Sequence, residues 1–263
     1  MATGFTDFYT EGDSFLHRLD PRVKLITVVL ITLLAFLLTN TLSLLALLAF
    51  IFLLLFASKV RLKKARAAFK HLLRFMTLVI VLWPLFDPSG LPVLLQLGPF
   101  KITEPALLRG VTSALRIGCF ASVWFVLLFT TSQRDLVRAL VKLGLRFDFG
   151  LAVSIALRFI PTFSYTLESV KDAQRARGLD FGRGGLLKRS KDYVAILTPA
   201  IVSALRTAET LSLALQSRAY GARRDRTYLR ELRMRRSDAV ALGAAIALLV
   251  IPILARHLLA IPL

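Results

Sequence analysis

The chain has 263 residues, 56% of them hydrophobic, with a mean hydropathy of +0.66 and a formal charge of +19. So apolar a composition excludes an ordinary soluble domain. An isoelectric point near 11.1 would suggest nucleic acid only in a soluble protein.

From residue 1 to 20 the chain reads as a polar lead-in. Two membrane spans are predicted next, at about 22–39 and 42–57, joined by the uncharged Asn40-Thr41. Their apolar runs, Leu25 to Leu38 and Leu42 to Phe56, fall slightly short of the roughly 20 residues a crossing needs, and flanking residues complete them. A signal peptide does not fit the first run, because no small-residue cleavage site follows it before the second. The link from Lys59 to Arg74 carries seven basic residues and no acid, as loops retained in the cytoplasm do. A third span is predicted at about 72–86, ending at Trp83-Pro84. Asp87 to Pro105, with four prolines and the single base Lys101, reads as an outside loop.

A fourth span, about 106–131, places a small residue at every fourth position: Ala106, Gly110, Ala114, Gly118 and Ser122. Such a stripe lets another helix approach closely, and Gly110, Ala114 and Gly118 are expected to pack against the chain's own helices. The same span carries Arg109 and Arg116, seven apart. An arginine near mid-bilayer costs about 3 kcal/mol on insertion scales. Arg116 therefore faces protein or water, or the span begins later than its composition suggests.

Ser132 to Arg236 carries 21 Lys and Arg against nine Asp and Glu and is expected to be cytoplasmic. Leu136, Leu140 and Leu143 share a helical face opposite Arg134, Arg138 and Lys142. The amphipathic spacing resumes from Phe149 to Val170, is interrupted at Pro161, and stops at Gly178. A connector follows with Gly182, Gly184 and Gly185, then a helix over about 192–219 that ends by Gly221. The stretch 194–215 is apolar enough to be mistaken for a further span. A basic run from Arg223 to Arg236 leads to a last span at about 238–255. The fold class is thus an all-α membrane protein with about five transmembrane helices and long amphipathic cytoplasmic helices. Its parts are 1–131, 132–236 and 237–263, with the N-terminus and 132–236 in the cytoplasm.

No catalytic constellation is present: GxSxG, HExxH and paired carboxylates are all missing. Gly182 to Ser190 lacks the glycine before the lysine that a phosphate loop needs, so no nucleotide site is expected. His17, His71 and His257 lack metal-ligand spacing, and Cys119 is alone, so neither a metal site nor an intrachain disulfide is expected. The basic stretches lack the interleaved aromatics of a single-strand groove, which argues against nucleic acid. The distinctive motifs are instead Ala176-Arg177-Gly178 and Ser217-Arg218-Ala219, whose arginines lie 41 residues apart. A lone arginine before a glycine is explained by the helix dipole, at about 0.3–1 kcal/mol. Two in matched contexts on consecutive helices point to docking, since a guanidinium offers a fork of donors to carboxylates and carbonyls.

The lead-in Gly12 to Leu25, with Asp20-Pro21-Arg22 and Lys24, resembles the N-terminal signature of the transmembrane (T) component of energy-coupling factor transporters. Arg158-Phe159-Ile160-Pro161 and the two arginine motifs resemble that family's later signatures in the same order. The resemblance implies a non-catalytic helical scaffold in the cell membrane. Its partners would be two ATP-binding-cassette subunits and a substrate-binding membrane (S) subunit that captures a vitamin or a transition-metal ion. ATP would be bound by the partners, with no cofactor on this chain, and Arg177 and Arg218 would be the coupling arginines, one per ATPase. The usual Ala-Arg-Gly is Ser-Arg-Ala at the second motif; alanine disfavours positive φ, so the helix is expected to run on to Gly221. The alternative is a stand-alone secondary transporter or channel, which needs ionisable residues facing a midplane path; Arg116 is its one clear candidate.

Overall fold

A computed structural model describes residues 9, 12–58, 60, 62–87, 93–97, 100–179, 185–222 and 234–259, with backbone alone at 62–64, 93–97, 100–102, 186–191 and 255–259. The glycines Gly182 and Gly184, the start of the last basic run at Arg223, and Pro88, Pro92 and Pro99 lie outside these residues. The chain divides into two compact units, Met1–Arg146 with Leu232–Leu263, and Phe147–Glu231.

The first unit holds α1 (Phe15–Arg18), α2 (Pro21–Leu37), α3 (Thr41–Ala57), α4 (Leu62–Phe86), α5 (Glu104–Thr130), α6 (Gln133–Lys142) and α9 (Arg236–Leu259). Caps set the ends of the early helices. Asp20 accepts the amide of Arg22 with Pro21 at the first helical position of α2, and Asn40 accepts the amide of Leu42 to start α3. These two helices are 17 residues each, about 26 Å at 1.5 Å per residue, and so short for a roughly 30 Å hydrocarbon core.

Helix α5 is the centre of this unit. Thr41 and Thr112 share a hydroxyl hydrogen bond of 2.8 Å, and the Cys119 thiol reaches the Leu44 carbonyl, so α3 runs parallel to α5. Helix α4 lies antiparallel on the small-residue stripe. Ala106 and Ala114 have no exposed surface, and a Cβ built on Gly110 or Gly118 would meet Trp83 and Ile80, or Met76, all on α4. The core pairs Val28, Ile31 and Leu34 of α2 with Leu44, Leu47 and Ile51 of α3 and Val123 and Leu127 of α5.

Helix α4 continues through Pro84, and the amide of Asp87 still reaches the Trp83 carbonyl at 3.1 Å. Proline cannot donate to the carbonyl four residues back, that of Ile80. Gly110 of α5 comes against this same carbonyl. The two glycines therefore differ in what a methyl would cost. At Gly110 the added Cβ would lie 3.1 Å from the Trp83 Cβ and 3.4 Å from the Ile80 carbonyl oxygen, neither of which can swing aside. At Gly118 it would lie 2.9 Å from the Met76 Cε, the tip of a flexible chain. Gly110→Ala is expected to cost about 1–3 kcal/mol through overpacking, while Gly118→Ala stays near neutral because alanine's helix propensity offsets the shift. Thermal unfolding of the two variants in one detergent checks the order; equal melting temperatures would remove the argument.

Two differences from the sequence reading have clear causes. The segment between α4 and α5 forms a hairpin of β1 (Val93–Leu97) and β2 (Phe100–Thr103), with Leu97 opposite Phe100. Helix α6 buries Val137 and Ala139, while Leu140 and Leu143 stay exposed. It packs on α2 and belongs with the first unit, so the boundary falls after Arg146 rather than at residue 132.

The second unit is a helical pair, α7 (Phe147–Ala176) and α8 (Leu186–Ser217), both running through an internal proline, Pro161 and Pro199. Among the described residues five helices are long and apolar enough to cross a membrane: Ala65–Phe86, Glu104–Thr130, Phe147–Ala176, Asp192–Ser217 and Arg236–Leu254. The number matches the sequence reading, but the membership differs. By length α2 and α3 drop out, and by composition α7 and α8 come in.

Candidate functional site: two arginine-bearing helix ends

Helix α7 ends at Ala176, with Arg177 in the capping position and Gly178 at φ +88°. The amide of Gly178 bonds the Arg175 carbonyl at 2.9 Å, and that of Leu179 bonds the Gln174 carbonyl at 3.0 Å. This is the Schellman motif, in which a left-handed residue turns the chain back to satisfy the last carbonyls. Helix α8 ends in the same way. Arg218 caps it, Ala219 takes φ +58°, and the amides of Ala219 and Tyr220 bond Gln216 at 2.9 Å and Leu215 at 3.0 Å.

The expectation that α8 would run on to Gly221 is therefore corrected. Alanine enters the left-handed region, and the helix stops at Ser217. Two native bonds hold the turn, and the Tyr220 hydroxyl donates to Asp148 Oδ1 at 2.9 Å, tying this end to the start of α7. A left-handed L-residue costs about 1–2 kcal/mol. Ala219→Gly is expected to relieve part of this, by about 0.5–1 kcal/mol after the entropy of the added glycine, so that the Tyr220 amide exchanges several-fold more slowly. Hydrogen exchange read at that amide checks it; unchanged protection would mean the turn is not strained.

Both motifs thus present one object, an arginine on the rigid end of a capped helix. Ala176, Arg177 and Gly178 are exposed, as are Ser217, Arg218 and Ala219. Among the described residues neither guanidinium has a hydrogen bond or ion pair. The two ends are far apart. Gln174 near the end of α7 donates to the Ala195 carbonyl near the start of α8, while Tyr220 beyond α8 meets Asp148 at the start of α7. The helices are antiparallel, and Arg177 and Arg218 lie at opposite ends, on the order of 40 Å apart at 1.5 Å per residue. No single small pocket on a partner accommodates both.

Between the arms lies a groove of about 400 Å³ lined by Phe159, Ile160 and Phe163 from α7 and Ser203, Thr207 and Leu211 from α8. Phe159 is half-buried there; Arg158 and Pro161 are exposed. The signature Arg158-Phe159-Ile160-Pro161 thus turns Phe159 and Ile160 to the partner helix and its arginine and proline outward.

The opening signature does different work. Asp20 is buried, and its backbone amide donates to Asp238 Oδ1 of α9 at 2.9 Å. The second oxygen of Asp238 accepts the Arg235 amide at 2.7 Å, closing the N-terminus of α9. Arg22 lies 3.9 Å from the Asp20 carboxylate. The Lys24 ammonium is buried and donates to the carbonyls of Thr130, at the end of α5, and His17, at 3.0 and 3.2 Å. Asp20, Pro21, Arg22 and Lys24 therefore knot three helix ends together rather than offering a docking surface. Sequence reasoning missed Asp238, whose partner is 218 residues away; its place three residues after Arg235, at a helix start, was the available signal.

Arg116 faces protein. Its Nε and Nη2 donate to the carbonyls of Ala35 and Leu38, at 3.2 and 2.9 Å, capping the end of α2. Two charge-assisted hydrogen bonds at about 1.5–3 kcal/mol each, with the favourable end of the helix dipole, offset an insertion cost of about 3 kcal/mol. Lys24 of α2 caps α5, and Arg116 of α5 caps α2. An arginine committed in this way gives a stand-alone transport path no support. Arg109, at the other end of α5, pairs with Asp87 at 3.1 Å. Among the described residues no cluster of His, Cys, Asp or Glu suits a metal ion.

The family model of a cobalt transport protein, CbiQ, matches residues 12–229, a range that takes in the opening signature and both arginine ends. The chain belongs to this family. Its curated relatives carry the name energy-coupling factor transporter transmembrane protein EcfT. That of Streptococcus equi is 34% identical over 242 residues, covering 89% of this chain and 90% of its own. That of Brevibacillus brevis is 34% identical over 251 residues, covering 92% and 94%, and that of Limosilactobacillus fermentum is 35% identical over 255 residues, covering 94% and 95%. The likeness covers about nine tenths of each chain, so the chain is a multi-pass T component of an energy-coupling factor transporter, one membrane subunit of a larger complex.

Proposed function

We propose that this T component couples ATP hydrolysis by two ABC-type ATPase subunits to uptake of a vitamin or transition-metal ion held by a separate S subunit. The observation that carries the reading is the pair of matched, exposed arginine ends, without described partners, at the two ends of one antiparallel helical pair. A dimer of ATPases offers two equivalent grooves set apart in space, and two equivalent ends set apart by roughly 40 Å suit it. ATP binds to the partners, and this chain contributes no catalytic group or cofactor.

In this mechanism the ATPases close on ATP and draw the two helix ends relative to one another. Arginines on rigid ends transmit force. The internal prolines Pro161 and Pro199 allow the pair to rearrange, and that motion tilts or releases the S subunit. Residues 132–236 and the N-terminus lie in the cytoplasm in this reading, and the excess of Lys and Arg over 132–236 agrees with it. Co-purification of the full-length chain from membranes with candidate ABC ATPase subunits tests it. Retention of the ATPases is expected, and their absence from the wild-type complex would overturn the proposal.

A further inference from the structure

The first unit contains a cavity that the proposed coupling role does not use. It has a volume of about 390 Å³ and is walled by α1, α2, α3, α5 and α9. Its lining is almost wholly apolar: Val28 and Ile31 of α2, Leu54 of α3, Val123 and Leu127 of α5, Ala245 of α9. The lining includes Phe15, Phe50 and Ala244, all exposed, so one side of the cavity is open. Along α2 it extends from Val23 to Ile31, about 12 Å at 1.5 Å per residue, with Leu19 lining it just ahead of the helix. One leaflet of a bilayer is about 15 Å deep. A groove of this length in a membrane protein takes most of one acyl chain.

The end of the groove near Leu19 is not apolar. Lys24 and Thr130 line it. Lys24 is 8% exposed and has three N–H donors, of which two go to the carbonyls of His17 and Thr130. The third has no acceptor among the described residues. Exposed arginines belong to the same end: Arg18 next to Leu19, Arg134 at the start of α6, and Arg235 and Arg236 at the start of α9. The carboxylates described at this end are fewer than its bases: Asp13 pairs with Arg18 at 3.8 Å, Asp135 with Arg138 at 3.2 Å, and Asp20 and Asp238 accept backbone amides.

We propose that this groove holds one chain of an anionic phospholipid, with its ester and phosphate oxygens at the Lys24 ammonium and the surrounding arginines. Charge complementarity chooses the ligand class: a basic cluster at the mouth of an apolar slot between membrane helices favours an anionic over a zwitterionic headgroup. The lipid would fill space that the alanines of α9 leave open and join α9 to α2 and α5. The proposal does not depend on ATPase coupling.

The test uses the full-length T component in nanodiscs of equal parts phosphatidylglycerol and phosphatidylcholine, transferred to detergent and read by native mass spectrometry. One retained phosphatidylglycerol per chain is expected, preferred over phosphatidylcholine by about five-fold, the value of one surface charge. Ala244→Phe, which fills the groove at an exposed position, should abolish retention of either lipid. The Arg18→Gln/Arg236→Gln variant should keep a lipid but lose the preference. Equal retention of both lipids by the wild type, or retention unaffected by Ala244→Phe, would overturn the proposal. An unchanged melting temperature in the arginine variant separates loss of preference from loss of fold, and ATPase co-purification should be unaltered in both variants.

Discussion

The Arg177→Glu/Arg218→Glu double variant is expected to lose its ABC ATPase subunits on purification while the helical pair itself stays folded. Both side chains are exposed and, among the described residues, unbonded, so no described contact depends on them. At an interface each becomes a desolvated, hydrogen-bonded cation. Truncating one partner of such a pair costs about 2–5 kcal/mol, and reversal adds repulsion. Two sites at that cost lower affinity by a thousand-fold or more. The single variants should each fall between wild type and double, because the two ends are too far apart to share a groove. Lysine at both positions keeps the charge but not the fork of donors, so partial recovery is expected. Circular dichroism should be unchanged throughout. A double variant that assembled and transported like wild type would end the coupling assignment without touching the family assignment.

Some of this was legible in the sequence because its physics is local. A helix that stops at a glycine needs only neighbours four or five residues away, so Arg177-Gly178 could be read directly. The small-residue stripe of α5 has a four-residue period and could be read in the same way. Ala219 could not, since alanine's own preference opposes the φ it adopts. What overrides it is the pair of turn hydrogen bonds together with Tyr220 anchored on Asp148, 72 residues away. Arg116 posed a problem in sequence for a similar reason. The carbonyls that resolve it belong to Ala35 and Leu38, about eighty residues earlier, and no window along the chain brings them together. The starts of α2 and α3 were legible too, since the helices that Asp20 and Asn40 cap begin within a residue of the predicted spans.

Replacing Asp238 with alanine is expected to be the most damaging single change in the first unit. Asp238 is 1% exposed, and its two oxygens accept the amides of Asp20 and Arg235. The carboxylate is satisfied by backbone N–H groups rather than by a cation, so its loss leaves two donors without acceptors. The buried Asp20 amide left unsatisfied costs about 1–3 kcal/mol and the part-buried Arg235 amide adds less, which puts the pair at roughly 2–4 kcal/mol. That corresponds to a fall in melting temperature of roughly 10 °C for a chain of this size. The damage should not stay local. Asp20 is the cap of α2, and α2 carries Lys24 to the end of α5, so a loosened Asp20 weakens both. Asp238→Asn retains one oxygen and should lose about half as much. Arg22→Gln, which removes the guanidinium 3.9 Å from the same Asp20, tests the ion-pair alternative. Thermal unfolding of the three variants in one detergent measures the order. If Arg22→Gln proved the worst of them, the knot at the start of α2 would be held by ion pairing, and the backbone account of Asp238 would fail.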